Sequence, residues 1–160
     1  MTENLRKAIE TQINKELWSA YLYLDIARFY AAHDLPGLHN WFKKQAEEEV
    51  EHAEKFANFL HELGLDYKLL PVEAPHQEFK DLREPLIFQL EHEKLVTSLI
   101  HNLMKIAKEE NDYAAENFLG WYVKEQIEEE ANASDAIAKY DYCMGGQHGI
   151  LAFDAKMGER

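Results

Sequence analysis

The sequence predicts an all-α fold: a bundle of four long helices, with a long crossover between helices two and three and a short fifth helix near the C-terminal end. Three observations carry this. Apolar side chains recur at three/four spacing over four separate stretches, the mark of a helix with one buried face. Proline occurs only at 36, 71, 75 and 85, leaving long runs of Ala, Leu, Glu, Lys and Gln uninterrupted. The segment around Pro71 and Pro75 is too long to be a turn.

Helix one is expected from about Thr2 to His33, and Asp34-Leu35-Pro36-Gly37 is a turn whose proline is well placed to open helix two. Helix two runs to about Leu63, where Gly64 stops it. Residues 65 to about 78 form an extended connection, and helix three follows to about Glu109, with Pro85 in or near its first turn. Asn111-Asp112 supplies a turn and cap for helix four, which continues to about Cys143. Gly145-Gly146 breaks it, and Ile150 to Lys156 form the fifth helix. Short turns make helices one/two and three/four antiparallel neighbours. Helix two is roughly 40 Å long at its rise per residue. A connection of this length stretches about 46–50 Å, enough to return along the bundle and leave helices two and three parallel.

Residues 1–160 are of a length for one domain with one good core. The net charge of −13 argues against nucleic acid and anionic membrane as partners and suits a surface that collects cations. Cys143 is the only cysteine, which excludes an internal disulfide or a cysteine metal cluster. The opening Met1–Arg6 enters helical pattern without a charged-then-apolar leader, and no apolar run reaches the roughly 20 residues of a membrane span. The expected location is the cytoplasm.

The buried stripes contain the informative error. Helix two reads Leu38, Phe42, Gln45, Glu49, His52, Phe56, Leu60, Leu63, so a Glu-x-x-His pair sits on an otherwise apolar line. Helix one reads Leu5, Ile9, Ile13, Glu16, Ala20, Tyr23/Leu24, Ala27; helix three reads Leu86, Leu90, Glu93, Val96/Thr97, Ile100, Met104, Ala107. Helix four reads Phe118, Tyr122, Gln126, Glu129, Ala133, Ala136, Tyr140. A lone buried Glu is a mis-phased helix; four helices with the same anomaly are a site. Burying each carboxylate costs several kcal/mol unless something pairs with it. Glu49 and Glu93 each lie about 13 residues into their helices, which in parallel helices puts both about 20 Å from one end. Four carboxylates with one imidazole suit hard or borderline divalent metals. Ca²⁺ or Mg²⁺ would gain little from His52, and the absence of thiolates disfavours structural zinc. Two irons sharing a bridging carboxylate use the whole set.

These residues resemble the prokaryotic non-haem ferritins over nearly the whole chain. The resemblance rests on Gln12-Ile13-Asn14-Lys15-Glu16-Leu17 with Tyr23, on Glu47–Ala53, on Glu91-His92-Glu93 and above all on Asn117–Glu130. It implies a ferritin-like di-iron domain that oxidises Fe²⁺ with O₂ or hydrogen peroxide, a ferroxidase, and stores the ferric product inside a 24-subunit cage. It further implies that Glu16, Glu49 and His52 hold the first iron, that Glu49 bridges, and that Glu93 and Glu129 hold the second. Gln126 would lie beside the oxygen-binding face, and Tyr23 would steady a ligand or supply an electron. Glu48, Glu125 and Glu128, with Glu129 shared, match the family's third iron position; a solvated acidic face is the alternative for that set. Val50 stands where haem-binding relatives carry a ligand methionine, so no haem is expected. Two other readings compete with it: a di-iron redox enzyme, which lacks its second Glu-x-x-His or an appended Cys pair here, and a metal-free interaction bundle, which the inward carboxylates oppose.

Overall fold

The computed structural model describes residues 1–144 and 148–159. Among them are five helices, α1 (Glu3–Ala31), α2 (Pro36–Glu62), α3 (Glu84–Glu109), α4 (Tyr113–Cys143) and α5 (Gly149–Met157), and no strand. The expected Gly145-Gly146 break lies outside the described residues.

Local chemistry explains the ends. The Thr2 hydroxyl accepts the Leu5 N–H at 3.3 Å at the start of α1, and Asp112 accepts that of Ala115 at 3.1 Å at the start of α4. Asp34, Gly64 and Asn111 take left-handed conformations (φ 57°, 69° and 54°) just past α1, α2 and α3, where residues with little or locally bonded side-chain bulk are needed. One boundary differs from the sequence expectation. Helix three begins at Glu84, several residues late, because Asp81 accepts the N–H groups of Arg83 (2.8 Å) and Glu84 (2.9 Å) and holds the preceding chain in a turn. Pro85 then falls within the first turn, as expected.

The crossover climbs along α1. Arg6 donates to the Asp66 carbonyl (3.1 Å), Glu10 accepts from the Lys68 N–H (3.0 Å), and Asn14 donates to the carbonyls of Leu70 and Pro71 (3.2 and 3.0 Å). At the far end the Tyr30 hydroxyl donates to the Leu82 carbonyl at 2.8 Å. The connection therefore returns over the length of the bundle and leaves α2 and α3 parallel. Cross-helix bonds agree: Gln45 reaches Glu129 and Tyr122 reaches the His52 carbonyl, so α2 runs antiparallel to α4.

The apolar core is divided in two. One cluster gathers Leu5, Ile9, Ile13, Ala53, Phe56, Leu60, Val96, Ile100, Leu119 and Tyr122; the other gathers Leu22, Tyr23, Ile26, Leu38, Phe42, Ala46, Leu86, Ala136 and Phe153. In every long helix the gap between the two falls at the carboxylate: Glu16, Glu49 with His52, Glu93, and Glu129 with Gln126. Leu24 and Leu63, assigned to the stripes from sequence, are 48% and 41% exposed; Leu24 sits one step of about 100° beyond Tyr23, and Leu63 lies past the last turn of α2.

The fifth helix is docked rather than trailing. Phe153 and Met157 are buried in the second cluster, with the Phe153 ring edge-on to Tyr140 at 5.4 Å, while Leu151 faces outward. Asp154 is buried and accepts the N–H groups of Gly37 (3.1 Å) and Leu38 (2.8 Å). It thus caps the first turn of α2, whose own preceding residue, Leu35, offers no capping side chain. A Cβ on Gly37 would lie 1.8 Å from the Asp154 carbonyl oxygen. Asp154→Ala is expected to cost about 1–2 kcal/mol and Gly37→Ala at least as much, lowering the melting temperature by a few degrees. Melting of either variant at the wild-type temperature would show that α5 contributes nothing at this contact.

Candidate metal centre

Each carboxylate of the central layer is aimed by an element whose neighbouring turns are apolar. Glu16, Glu49, Glu93, Glu129 and His52 are all at most 6% exposed. Oxygen or nitrogen atoms of Glu16, Glu49 and His52 lie within 4.8 Å of one another, and so do those of His52, Glu125 and Glu129. The imidazole belongs to both groups: Nδ1 is 3.4 Å from Glu49 Oε2, and Nε2 is 4.0 Å from Glu125 Oε1. The Glu49 contact is an ion-pair distance without hydrogen-bond geometry, and both Glu49 Oε2 and Glu16 Oε2 are buried without a hydrogen bond. Orphaned carboxylate oxygens in a core are costly; a proton shared between Glu16 and Glu49, or a divalent cation held by the group, would satisfy them.

The remaining oxygens are held by neutral donors. Gln12 donates to Glu16 Oε1 at 2.9 Å, and Gln45 donates to Glu129 Oε2 at 3.1 Å. Tyr23 donates to Glu93 Oε1, while Gln126 Nε2 donates to Glu93 Oε2 at 3.1 Å and approaches the Glu93 carbonyl at 3.3 Å. Tyr122 donates to the His52 carbonyl at 2.7 Å and packs its ring 4.0 Å from that of Phe56. Sequence reasoning gave no role to Gln12, nor to Gln45 beyond its place on the stripe. For Gln12 the available signal was its i, i+4 spacing to Glu16; Gln45 bonds across to another helix, which local spacing does not indicate.

Burial sets the electrostatics. It pushes the Glu16 carboxyl well above its usual value, with the Glu49 charge adding to it. Burial does the same to Glu49, helped by Glu93 and Glu129, and raises Glu93 against the Tyr23 and Gln126 hydrogen bonds that favour its ionised form. Glu129 is pushed up to about 7, first by burial and then by the Glu93 charge. The Tyr23 phenol is raised well above its usual range by burial and by the Glu93 charge, so it stays a hydrogen-bond donor. A cluster arranged this way takes up protons when no cation is bound and releases them to one that is.

The structure thus brings Glu16, Glu49, His52, Glu93, Glu129, Gln126 and Tyr23 to one level. The other set divides. Glu125 lies beside His52 and Glu129, and the Glu48 charge acts on Glu49 and Glu129. Glu128 instead faces outward beside Trp41, Asn132, Asp135 and Lys139. Val50 is exposed on α2.

The comparisons with known proteins point the same way. The family model described as ferritin-like domain matches residues 6–142. A probable bacterial non-heme ferritin-like protein of Haemophilus influenzae is 35% identical over 99% of this chain and 96% of its own length. The bacterial non-heme ferritin of Bacteroides fragilis is 33% identical over 100% of this chain and 99% of its own. Among solved structures, the open pore ferritin of Archaeoglobus fulgidus superposes with a TM-score of 0.97 at 39% identity, covering 100% of this chain and 99% of that one. With the helices, the crossover and the divided core in agreement, the chain belongs to the ferritin family, among its prokaryotic non-haem, iron-storing members.

Proposed function

We propose that residues 1–160 act as a single ferroxidase and storage domain that binds two Fe²⁺ per chain in the carboxylate layer, passes one electron from each to O₂ or hydrogen peroxide, and releases Fe³⁺ to a mineral inside a 24-subunit cage in the cytoplasm. The observation that supports this most is the divided core: every long helix gives up apolar packing at one level to place a carboxylate there. Glu16 and His52 hold the first iron, Glu93 and Glu129 the second, and Glu49 spans both. Hard anionic oxygens favour Fe³⁺ over Fe²⁺ and so draw the oxidation forward. Tyr23 and Gln126 fix Glu93 by its two oxygens, and the protons that burial keeps on the carboxyls leave as iron enters. Among the described residues no helix is long and apolar enough to cross a membrane.

Aerobic Fe²⁺ supplied well beyond two per chain, followed by size-exclusion chromatography, tests the reading. Iron should co-elute with a particle of twenty-four 18.7 kDa chains. A small oligomer saturating at two irons would make the chain a di-iron redox enzyme instead, and absence of binding would leave only a bundle.

A third iron held by Glu48, Glu125 and Glu128, with Glu129 shared, is part of the same proposal; Glu125 lies beside His52 and Glu129, and Glu128 stands at the exposed edge of the set. Glu48→Ala and Glu125→Ala are expected to leave the first fast oxidation nearly intact and to change later turnover and the iron:O₂ ratio, read by stopped-flow absorbance and an oxygen electrode. Loss of the fast phase in Glu125→Ala would move that residue into the inner pair.

A further inference from the structure

Thr97 lies one turn past Glu93 on α3, half-buried beside α4. A threonine inside a helix ordinarily returns its hydroxyl proton to the carbonyl four residues back, and here that carbonyl is Glu93's own. Instead the Thr97 hydroxyl crosses to α4 and donates to Glu130 Oε1 at 2.5 Å, the short length of a bond to a carboxylate. The proton is thereby committed, and the hydroxyl oxygen is left as an acceptor.

Gln126 uses that acceptor. Its Nε2 approaches Thr97 Oγ1 at 3.5 Å, the Glu93 carbonyl at 3.3 Å and Glu93 Oε2 at 3.1 Å. Three acceptors around one nitrogen decide which way the amide faces, because a flipped amide would set Oε1 against three oxygens. The Thr97 contact is the longest, so its part is to reject the flipped amide rather than to bind strongly. This depends on Glu130. With the Thr97 proton released from α4, it would return to the Glu93 carbonyl in competition with Gln126, or would reward the flipped amide by donating to its oxygen. Either change loosens the hold of Gln126 on the Glu93 carboxylate.

Resting on the two-iron reading above, we propose that Thr97 and Glu130 are positioning residues for the second iron: Glu130 holds the Thr97 proton, Thr97 holds the Gln126 amide in one orientation, and Gln126 so oriented holds Glu93. Neither residue is a ligand. The effect is confined to one side of the layer, since Glu16 takes its own hydrogen bond from Gln12 on α1 and His52 is carried by α2.

Calorimetric titration of Zn²⁺ into the full-length apoprotein is the test. Wild type should bind one ion per chain that Glu93→Ala removes and another that Glu93→Ala leaves. Thr97→Val keeps the volume and loses the hydroxyl, and Glu130→Leu removes the acceptor. Each should weaken the Glu93-dependent ion by about tenfold and leave the other unchanged. Thr97→Ser, which restores the hydroxyl, should bind as wild type does, a rescue that a packing role for the threonine methyl would not give. In iron oxidation Thr97→Val and Glu130→Leu should raise the Fe²⁺ concentration at half-maximal rate about tenfold and hold the maximal rate within about twofold. Wild-type Zn²⁺ affinity in Thr97→Val, equal weakening in Thr97→Val and Thr97→Ser, or weakening of the Glu93-independent ion overturns the positioning role. If Glu130→Leu does not fold, the two Thr97 variants decide without it. Absence of any Glu93-dependent ion in wild type overturns the two-iron reading and this inference together, whereas the other outcomes touch the inference alone.

Discussion

Glu49→Ala is expected to slow iron oxidation more than any other single change in the layer, on the order of a hundredfold, or roughly 2.7 kcal/mol of barrier. Glu49 shares one trio with Glu16 and His52, and the charges of Glu93 and Glu129 act on it from the other side. In the proposed two-iron centre its removal would strip a ligand from both irons and also the geometry that keeps them adjacent. His52→Ala should chiefly weaken the first iron, and Glu93→Ala or Glu129→Ala chiefly the second, each with a smaller loss of rate. Stopped-flow absorbance at two Fe²⁺ per chain ranks the four. Oxidation by Glu49→Ala at the wild-type rate would end the bridging assignment.

The second large effect concerns the metal-free protein. Glu16, Glu49, Glu93 and Glu129 all have raised folded-state pKa values, with burial the first cause in each. A raised carboxyl means that the folded state binds more protons than the unfolded state between the ordinary carboxylate value and the folded one. The stability tied to those protons is fully present below the ordinary value and is lost as pH climbs through the folded values, which for Glu129 means about 7. Apoprotein should therefore melt lower at about pH 8 than at about pH 6. Glu93→Gln with Glu129→Gln should flatten that slope and raise the melting temperature at the higher pH by a few degrees, about 1–2 kcal/mol. The same pair should remove the stabilisation that Zn²⁺, a redox-silent stand-in for Fe²⁺, gives the wild type. Calorimetry in EDTA and in Zn²⁺ decides both. A double variant clearly less stable than wild type in EDTA would make these carboxylates structural partners rather than a vacant cation's ligands.

Most of the bundle was legible because its signals are local. Helical periodicity, Pro36, Gly64 and the Asn111-Asp112 pair each act within a turn of the backbone they shape. The start of α3 was not, because residues 79–83 have helix-compatible composition and are held out of the helix by Asp81 and by Tyr30 on the Leu82 carbonyl. The inner carboxylates were legible for a different reason: an acid on an apolar stripe is improbable once and decisive four times. The same logic gives no help on the outward side of α4. Glu125, Glu128 and Glu130 are single acids among many, and only packing distinguishes Glu125, beside His52, from Glu128, which faces away. Thr97 takes Glu130 with a 2.5 Å hydrogen bond, a partner that periodicity does not indicate.

Asp154 left no signal in the sequence at all, since its partners Gly37 and Leu38 lie 117 and 116 residues away. Its capping contact makes two amide protons at the start of α2 dependent on a helix at the opposite end of the chain. Their deuterium exchange measures how often α5 lifts off, with no label on α5 itself. If α5 detaches as a unit, the amides of Gly37 and Leu38 should exchange at one shared opening free energy, well below that of the α2 amides around Glu49. The start of α2 and α5 would then breathe together at one end of the bundle, while the carboxylate layer further along α2 stays shut.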